Sequence, residues 1–180
     1  MILFKNILEE GNKKEYEYGC LMATLNIPQW KDYYDFIDKK DIYNNPDKEY
    51  GLEEFSHCTI LYGFNLEKTN KESIVHACKN IKPFHIKLQD ISVFENDEYD
   101  VLKIDCQSYM LHKLNKWFSE HFEYTNVYDE YLPHATLCYL KKGTGEKYID
   151  SLKIKIHDVL CTQLEYSERD KDDKTYIRLK

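Results

Sequence analysis

The sequence predicts an α+β fold of two related lobes, and three observations carry that prediction. Apolar residues alternate along several short stretches, as half-buried strands require, and recur every three to four residues along others, as helices do. The order strand, helix, strand, helix, strand runs once through each half of the 180 residues. The middle strand of each half is chemically distinctive: Ser56-His57-Cys58-Thr59-Ile60-Leu61-Tyr62 is echoed by Pro133-His134-Ala135-Thr136-Leu137-Cys138-Tyr139. With seven His and eight Thr in the chain, roughly 0.3 such H-x-T triplets are expected by chance. Two copies with matching flanks point to an internal duplication.

Tyr18 to Ile27 reads as the first strand, with Leu21, Ala23, Leu25 and Ile27 on one face and Tyr18, Cys20, Met22 and Thr24 on the other. Pro28 suits a first helical turn, after which Trp30, Tyr33, Tyr34 and Ile37 make a helical stripe. Asn44-Asn45-Pro46-Asp47 breaks it, a charged loop leads to His57, and Gly63 is expected to end the motif strand. Thr69-x-x-Glu72 has the form of a capping box, opening a helix with Ile74, Val75 and Cys78 inward and Pro83 as its stop. Phe84 to Phe94 is the next strand, turned at Asn96-Asp97 into Tyr99 to Cys106.

In the second half Ser108 is placed to cap a helix carrying Leu111, Leu114, Phe118 and Phe122, and a loop rich in Tyr and Asp leads to His134. Gly143-Thr144-Gly145 turns the chain into a short helix with Tyr148, Ile149 and Leu152. A long strand, Ile156 to Ser167, and a closing one, Tyr176 to Leu179, flank the charged turn Glu168 to Lys174. The plan is one domain over residues 1–180, lobe one spanning approximately 15–97 and lobe two 98–180. Antiparallel sheets form a central cleft, helices lie outside, and the motif strands face each other. Residues 1–14 are an apolar-then-charged leader with no assigned role.

Composition bounds the partners. Hydrophobic residues make up 42% and aromatics 14%, led by 16 Tyr, which suits a packed core and argues against disorder. A formal charge of -7 repels long polyanions, so extended DNA or RNA is disfavoured and a small anionic ligand is easier to accommodate. Cys20, Cys58, Cys78, Cys106, Cys138 and Cys161 form no C-x-x-C pair and each sits in or beside an apolar segment, the pattern of buried free thiols in a reducing cytosol. Met1 to Glu10 is too short and too quickly acidic for a signal peptide, and no stretch approaches the ~20 apolar residues of a membrane span. The expectation is a cytoplasmic protein that does not enter a membrane.

On a strand, side chains at i and i+2 share a face, so each histidine lies beside its own threonine. Cleaving a phosphodiester without a metal needs a base for the attacking oxygen and an acid for the departing one. Histidine serves either role near neutral pH, and neighbouring hydroxyls hydrogen-bond the non-bridging oxygens where charge builds. A single such histidine is more often a packed residue than a catalyst; the duplication makes His57, Thr59, His134 and Thr136 the candidate catalytic set. His76, His85, His112, His121 and His157 lack the pattern and read as structural or surface residues. No carboxylate–histidine cluster accompanies the motifs, so no metal site is expected, and Cys58 and Cys138 read as core.

The segments HCTI and HATL, within the duplicated plan, resemble the paired motifs of the 2H phosphoesterase superfamily over most of the chain. The flanks Gly51 to Ser56, Leu61-Tyr62-Gly63 and Tyr139 to Gly145 look most like those of its phage-encoded anti-CBASS nucleases, which destroy cyclic oligonucleotide signals of bacterial antiviral immunity. The resemblance implies hydrolysis of 3′-5′ bonds in cyclic di- and trinucleotides, with no cofactor and through a 2′,3′-cyclic phosphate. His57 and His134 would share the base and acid roles, in an order left open, while Thr59 and Thr136 hold the phosphate. It also implies that Tyr18 contacts the base or phosphate, and that Glu165 matches a glutamate of the family's second lobe; the competing reading of Glu165 is an exposed strand residue. Phe94 is the nearest candidate for an aromatic stacked on a nucleobase, at a position that often suits a Trp in the family, and neither Trp30 nor Trp117 falls there. The implied partner is a small cyclic oligonucleotide in the host bacterial cytosol. Two other classes stand beside it: a 2H enzyme acting on RNA 2′,3′-cyclic phosphate ends or 2′-5′ linkages, and a non-catalytic nucleotide sponge.

Overall fold

Strand alternation organises most of the chain. The computed structural model describes residues 18–28, 30–45, 50–125, 130–154, 157–168 and 174–180. The leader, Pro46-Asp47, the centre of the loop before His134, Ile156 and most of the turn before Lys174 lie outside the described residues. The strands are β1 (Tyr18–Thr24), β2 (His57–Asn65), β3 (Phe84–Glu95), β4 (Tyr99–Gln107), β5 (His134–Lys141), β6 (Asp158–Cys161), β7 (Gln163–Ser167) and β8 (Lys174–Arg178). Two α-helices, α1 (Lys71–Cys78) and α2 (Tyr109–His121), and 3-10 turns at Trp30–Phe36, Lys39–Asp41 and Glu146–Tyr148 complete the described elements.

Two four-stranded antiparallel sheets result, ordered β2-β1-β7-β8 and β5-β4-β3-β6. The motif strand leads each sheet, and β2 and β5 approach one another at the centre of the molecule. The sheets interleave along the chain. From the first half, β3 pairs with β4, and from the second half β7 and β8 extend the sheet of β1.

The covers are exchanged as well. Residues that precede β2 run along the outer edge of β5, with Tyr43 N–H donating to Tyr139 O at 2.9 Å and Glu53 N–H to Leu137 O at 3.0 Å. Residues that follow α2 run along β2, with Thr125 N–H donating to Gly63 O at 2.8 Å and Asn65 N–H to Glu123 O at 3.0 Å. Both motif strands are thereby shielded from further pairing. Helix α2 packs behind β2, where Phe118 meets Phe64 edge-on at 6.1 Å and Asn115 Nδ2 donates to Ile60 O at 2.8 Å.

The expected faces of β1 are present: Leu21, Ala23, Leu25 and Ile27 are buried, while Tyr18, Cys20, Met22 and Thr24 are half-buried. Several expected details change. The strand ends at Thr24, and the stripe after Pro28 winds as a 3-10 turn, burying Trp30 and Tyr33 with Trp30 Nε1–H donating to Glu53 O at 2.8 Å. Gly63 lies inside β2 instead of ending it; its φ of 101 brings the chain against Thr125, where a Cβ would lie 2.5 Å from the carbonyl oxygen.

Asn70 replaces Thr69 as the cap of α1, accepting from Ser73 N–H at 2.8 Å, because Thr69 is buried and its N–H donates to Asn65 O. Ser108 stands at the start of α2, but its hydroxyl donates to His85 O at 2.8 Å and accepts from no N–H of the helix. The largest change concerns residues 156–167: the described part is two strands, parted at Thr162, that join different sheets. β6 buries Val159 and Cys161 whereas β7 buries Leu164 and Tyr166, so the buried parity changes at Thr162, where the chain passes from one sheet to the other. Among the described residues no helix is long and apolar enough to cross a membrane.

Candidate active site

The two motif strands carry the same burial pattern. His57, Thr59 and Tyr62 are half-buried while Cys58, Ile60 and Leu61 are buried; His134, Thr136 and Tyr139 are half-buried while Ala135, Leu137 and Cys138 are buried. Consecutive buried residues break strict alternation, and a β-bulge explains each break. The register slips after Thr59 opposite Leu21/Met22 and after Thr136 opposite Leu102/Lys103. One extra residue turns two neighbours to the same side and returns the tyrosine to the face of the threonine. The paired apolar residues after each threonine are the sequence trace of that bulge.

Each histidine is held in one tautomer. His57 Nδ1 lies 3.1 Å from Phe55 O and His134 Nδ1 lies 2.7 Å from Leu132 O. A carbonyl only accepts, so each Nδ1 carries a hydrogen, and Nε2 is left to take or give a proton. Phe55 and Leu132, two residues ahead of each histidine, are 64% and 50% exposed and give both an apolar approach.

Across the sheets the surroundings diverge. In the first, Thr24 stands opposite His57 and Met22 opposite Thr59, with Glu165 of β7 beyond Met22. In the second, Asp105 stands opposite His134 and Lys103 opposite Thr136, with Ser92 of β3 beyond Lys103. Burial pushes the His134 imidazole below its ordinary pKa, aided by the charges of Lys103 and His57 and opposed by the Leu132 carbonyl and Asp105. Glu53, beside the first motif, is held above the usual carboxylate range by burial, against the pull of His57 and Lys174.

Of the other expected site residues, Tyr18 is half-buried on the face of Thr24 and meets Tyr62 edge-on at 6.3 Å. Glu165 is 8% exposed, not an open strand residue, and receives a hydrogen bond from Lys174 Nζ at 2.9 Å. Phe94 packs T-shaped on His134 at 5.0 Å, and Lys103 Nζ covers its ring at 4.0 Å. The structure thus gathers Phe94 with the second motif, and Tyr18 and Glu165 with the first. Lys103, Asp105, Ser92 and Glu53 were not anticipated. Lys103 and Asp105 had a legible signal: charges two apart on one face of the otherwise apolar Val101 to Cys106.

The thiols belong to the core. Burial pushes Cys138 up to about 12; the neighbouring Cys106 thiol, then burial, hold Cys58 well above its ordinary value. His85 pairs with Asp158 at 2.5 Å and His121 stacks on Trp117 at 4.3 Å, so neither joins the cleft. Among the described residues no three His, Cys, Asp or Glu side chains converge as a metal site would need.

Two lobes, each presenting an H-x-T strand to a shared cleft, define the duplicated 2H phosphoesterase fold. Solved structures place the chain within it. Kluyveromyces marxianus Usb1 with uridine monophosphate is similar over 92% of this chain and 99% of its own, with 10% identity and a TM-score of 0.54. A phosphoesterase crystal structure is similar over 91% and 96%, with 12% identity and a TM-score of 0.53. E. coli LigT with 3′-AMP is similar over 91% and 97%, with 14% identity and a TM-score of 0.51. No family model and no curated protein matches the sequence.

Proposed function

We propose that the chain is a metal-independent phosphodiesterase that cleaves 3′-5′ bonds of cyclic di- and trinucleotide second messengers, serving a phage against CBASS immunity. One observation carries the chemistry: two histidines on adjoining strands, each with Nδ1–H spent on the backbone and Nε2 left for substrate. One Nε2 takes the proton of a ribose 2′-OH, and that oxygen bonds to the neighbouring phosphorus. The P–O5′ bond breaks, and the second imidazole, entering protonated, gives its proton to the departing oxygen. The products are a 2′,3′-cyclic phosphate and a free 5′-OH, so the ring is opened. Thr59 and Thr136 donate to the non-bridging oxygens as their charge grows.

Size and charge favour a small nucleotide ligand. Usb1 and LigT hold uridine monophosphate and 3′-AMP in their structures, and a cyclic dinucleotide presents two such units. A chain of charge -7 disfavours a long polyanion over a compact one. Exposed Phe55 and Leu132, with Tyr18, offer apolar surface for bases. Phe94 in this reading supports His134 from one side, and Glu165 accepts from a base's amino group.

The test is turnover in excess EDTA on 3′,3′-cyclic GMP-AMP, cyclic triadenylate, a linear 2′-5′ oligoadenylate and an RNA ending in a 2′,3′-cyclic phosphate. Linearisation of a cyclic substrate by the wild type and not by His57→Ala or His134→Ala is the expected result. Reaction of the RNA end or the 2′-5′ linkage alone would transfer the chemistry to RNA processing. Binding without turnover would make the protein a nucleotide sponge.

A further inference from the structure

The two histidines have equivalent backbone partners, yet among the described residues only His134 has a buried ammonium close by. Lys103 on β4 is 4% exposed, although a lysine is among the residues least often buried. Its Nζ forms an ion pair with Asp105 Oδ1 and donates to Ser92 Oγ at 2.6 Å, and Ser92 Oγ–H in turn donates to Asp105 Oδ2 at 2.8 Å. The triangle closes on itself and holds the ammonium over the Phe94 ring, which packs against the His134 imidazole. In register, Lys103 is the neighbour of Thr136 and Asp105 the neighbour of His134.

In the other sheet the places matching Lys103 and Asp105 carry no charge, and the place matching Ser92 holds Glu165. Met22 adjoins Thr59, and Thr24 adjoins His57 with its hydroxyl donated to Gln163 O at 2.8 Å. A duplicated fold gives no reason for one copy to bury a lysine where the other holds a half-buried methionine. A reaction that needs one neutral and one protonated imidazole does.

We propose that Lys103, braced by Asp105 and Ser92, is a positioning residue that makes the two histidines unequal and reserves His134 for accepting the 2′-OH proton. His57 then protonates the O5′ leaving group; this order rests on the phosphodiesterase reading above. The charged and titratable groups acting on His134 are Lys103 and Asp105 from β4 and His57 from β2. Of these, Lys103 favours the neutral ring and Asp105 the protonated one, so removing either charge moves the ring in opposite senses.

Histidine-ring NMR titration of the free protein reads this without substrate, with His57→Ala used to assign the resonances. Wild-type His134 is expected to titrate below the ordinary ~6.5 of a histidine. Lys103→Met removes the cation and bares Asp105, raising the midpoint by about 1 pH unit, whereas Asp105→Asn lowers it by about half a unit. In kcat/KM profiles on the cyclic substrate, the acid limb follows these displacements and the alkaline limb stays. Shifts of the same sign in both variants, or none, would reduce the triangle to a packing element and overturn the proposal. Displacement of the alkaline limb would make His134 the acid and overturn it as well. If Lys103→Met does not fold, Asp105→Asn, at a half-exposed position and nearly the same shape, decides by its sign alone. Inactivity on every nucleotide with the opposed NMR shifts intact would count against the phosphodiesterase reading and leave the Lys103 effect standing.

Discussion

Set side by side, the rows that begin at the two threonines show how far a duplicated site has diverged. Thr59 is followed across its sheet by Met22, Glu165 and Tyr176; Thr136 is followed by Lys103 and Ser92. The histidines, their carbonyl partners and the bulges behind the threonines are alike in both, as the proposed step at phosphorus would require. What differs lies one strand away or further, where a side chain tunes a neighbour or meets the rest of a ligand. On one side that surrounding is a closed cation–carboxylate triangle; on the other it is a carboxylate with a 58% exposed tyrosine alongside. Under the proposed reaction the near-symmetric part would supply proton transfer, and the asymmetric part direction and selectivity.

The sharpest test of equivalence at the centre is the behaviour of the two histidines together. His57→Ala and His134→Ala are each expected to lower kcat by about 10²–10⁴-fold. Because base and acid act in one event, the double variant should fall scarcely below the worse single one when activity is followed under single-turnover conditions. Multiplying losses would mean that the two rings work in separate steps.

A structural contrast comes next. Gly63 and Leu140 hold equivalent places in β2 and β5, and both are covered by chain from the opposite half. Only Gly63 has a positive φ, 101, with Thr125 O at 2.5 Å from where a Cβ would stand. Gly63→Ala is therefore expected to cost about 2–4 kcal/mol in denaturant unfolding, from the backbone conformation and the overlap together. A loss under about 0.5 kcal/mol would show that the covering strand yields, and that β2 is held less firmly than β5.

Much of this was readable from residues, and what was not has a common cause. The H-x-T pairs, the two faces of β1 and the apolar sides of α1 and α2 follow from periodicity, because each concerns a segment and its own buried face. Periodicity does not name a partner. The segment 156–167 serves two sheets, a change of partner marked only by the slip in parity at Thr162, and nothing in the pattern reveals that β3 crosses to the other half. The capping residues differ for two reasons: Thr69 spends its backbone N–H on the Asn65 carbonyl four residues back, and the Ser108 hydroxyl is claimed by the distant His85 carbonyl. At the site, Glu165 and Phe94 were legible as positions, whereas Lys103 became meaningful only once register set it beside Thr136.

The smallest effect concerns the outer part of the Thr59 row. Glu165 is the carboxylate of that row, buried and tied to Lys174, whose own side chain is 31% exposed. Glu165→Gln keeps the size and one acceptor oxygen but loses the charge, so the fold should melt nearly unchanged. If the carboxylate accepts from a base's amino group, its loss weakens ground state and transition state alike: KM rises about tenfold while kcat stays within about twofold. A fall in kcat at constant KM would instead bring Glu165 into the chemistry, and the asymmetry between the rows would then begin at the phosphorus. No change in either would confine substrate contact in this lobe to His57, Thr59 and the aromatic rim, leaving Glu165–Lys174 as a brace between β7 and β8. The carboxylate's burial favours the first outcome, since a brace alone gains little from an ion pair held out of water.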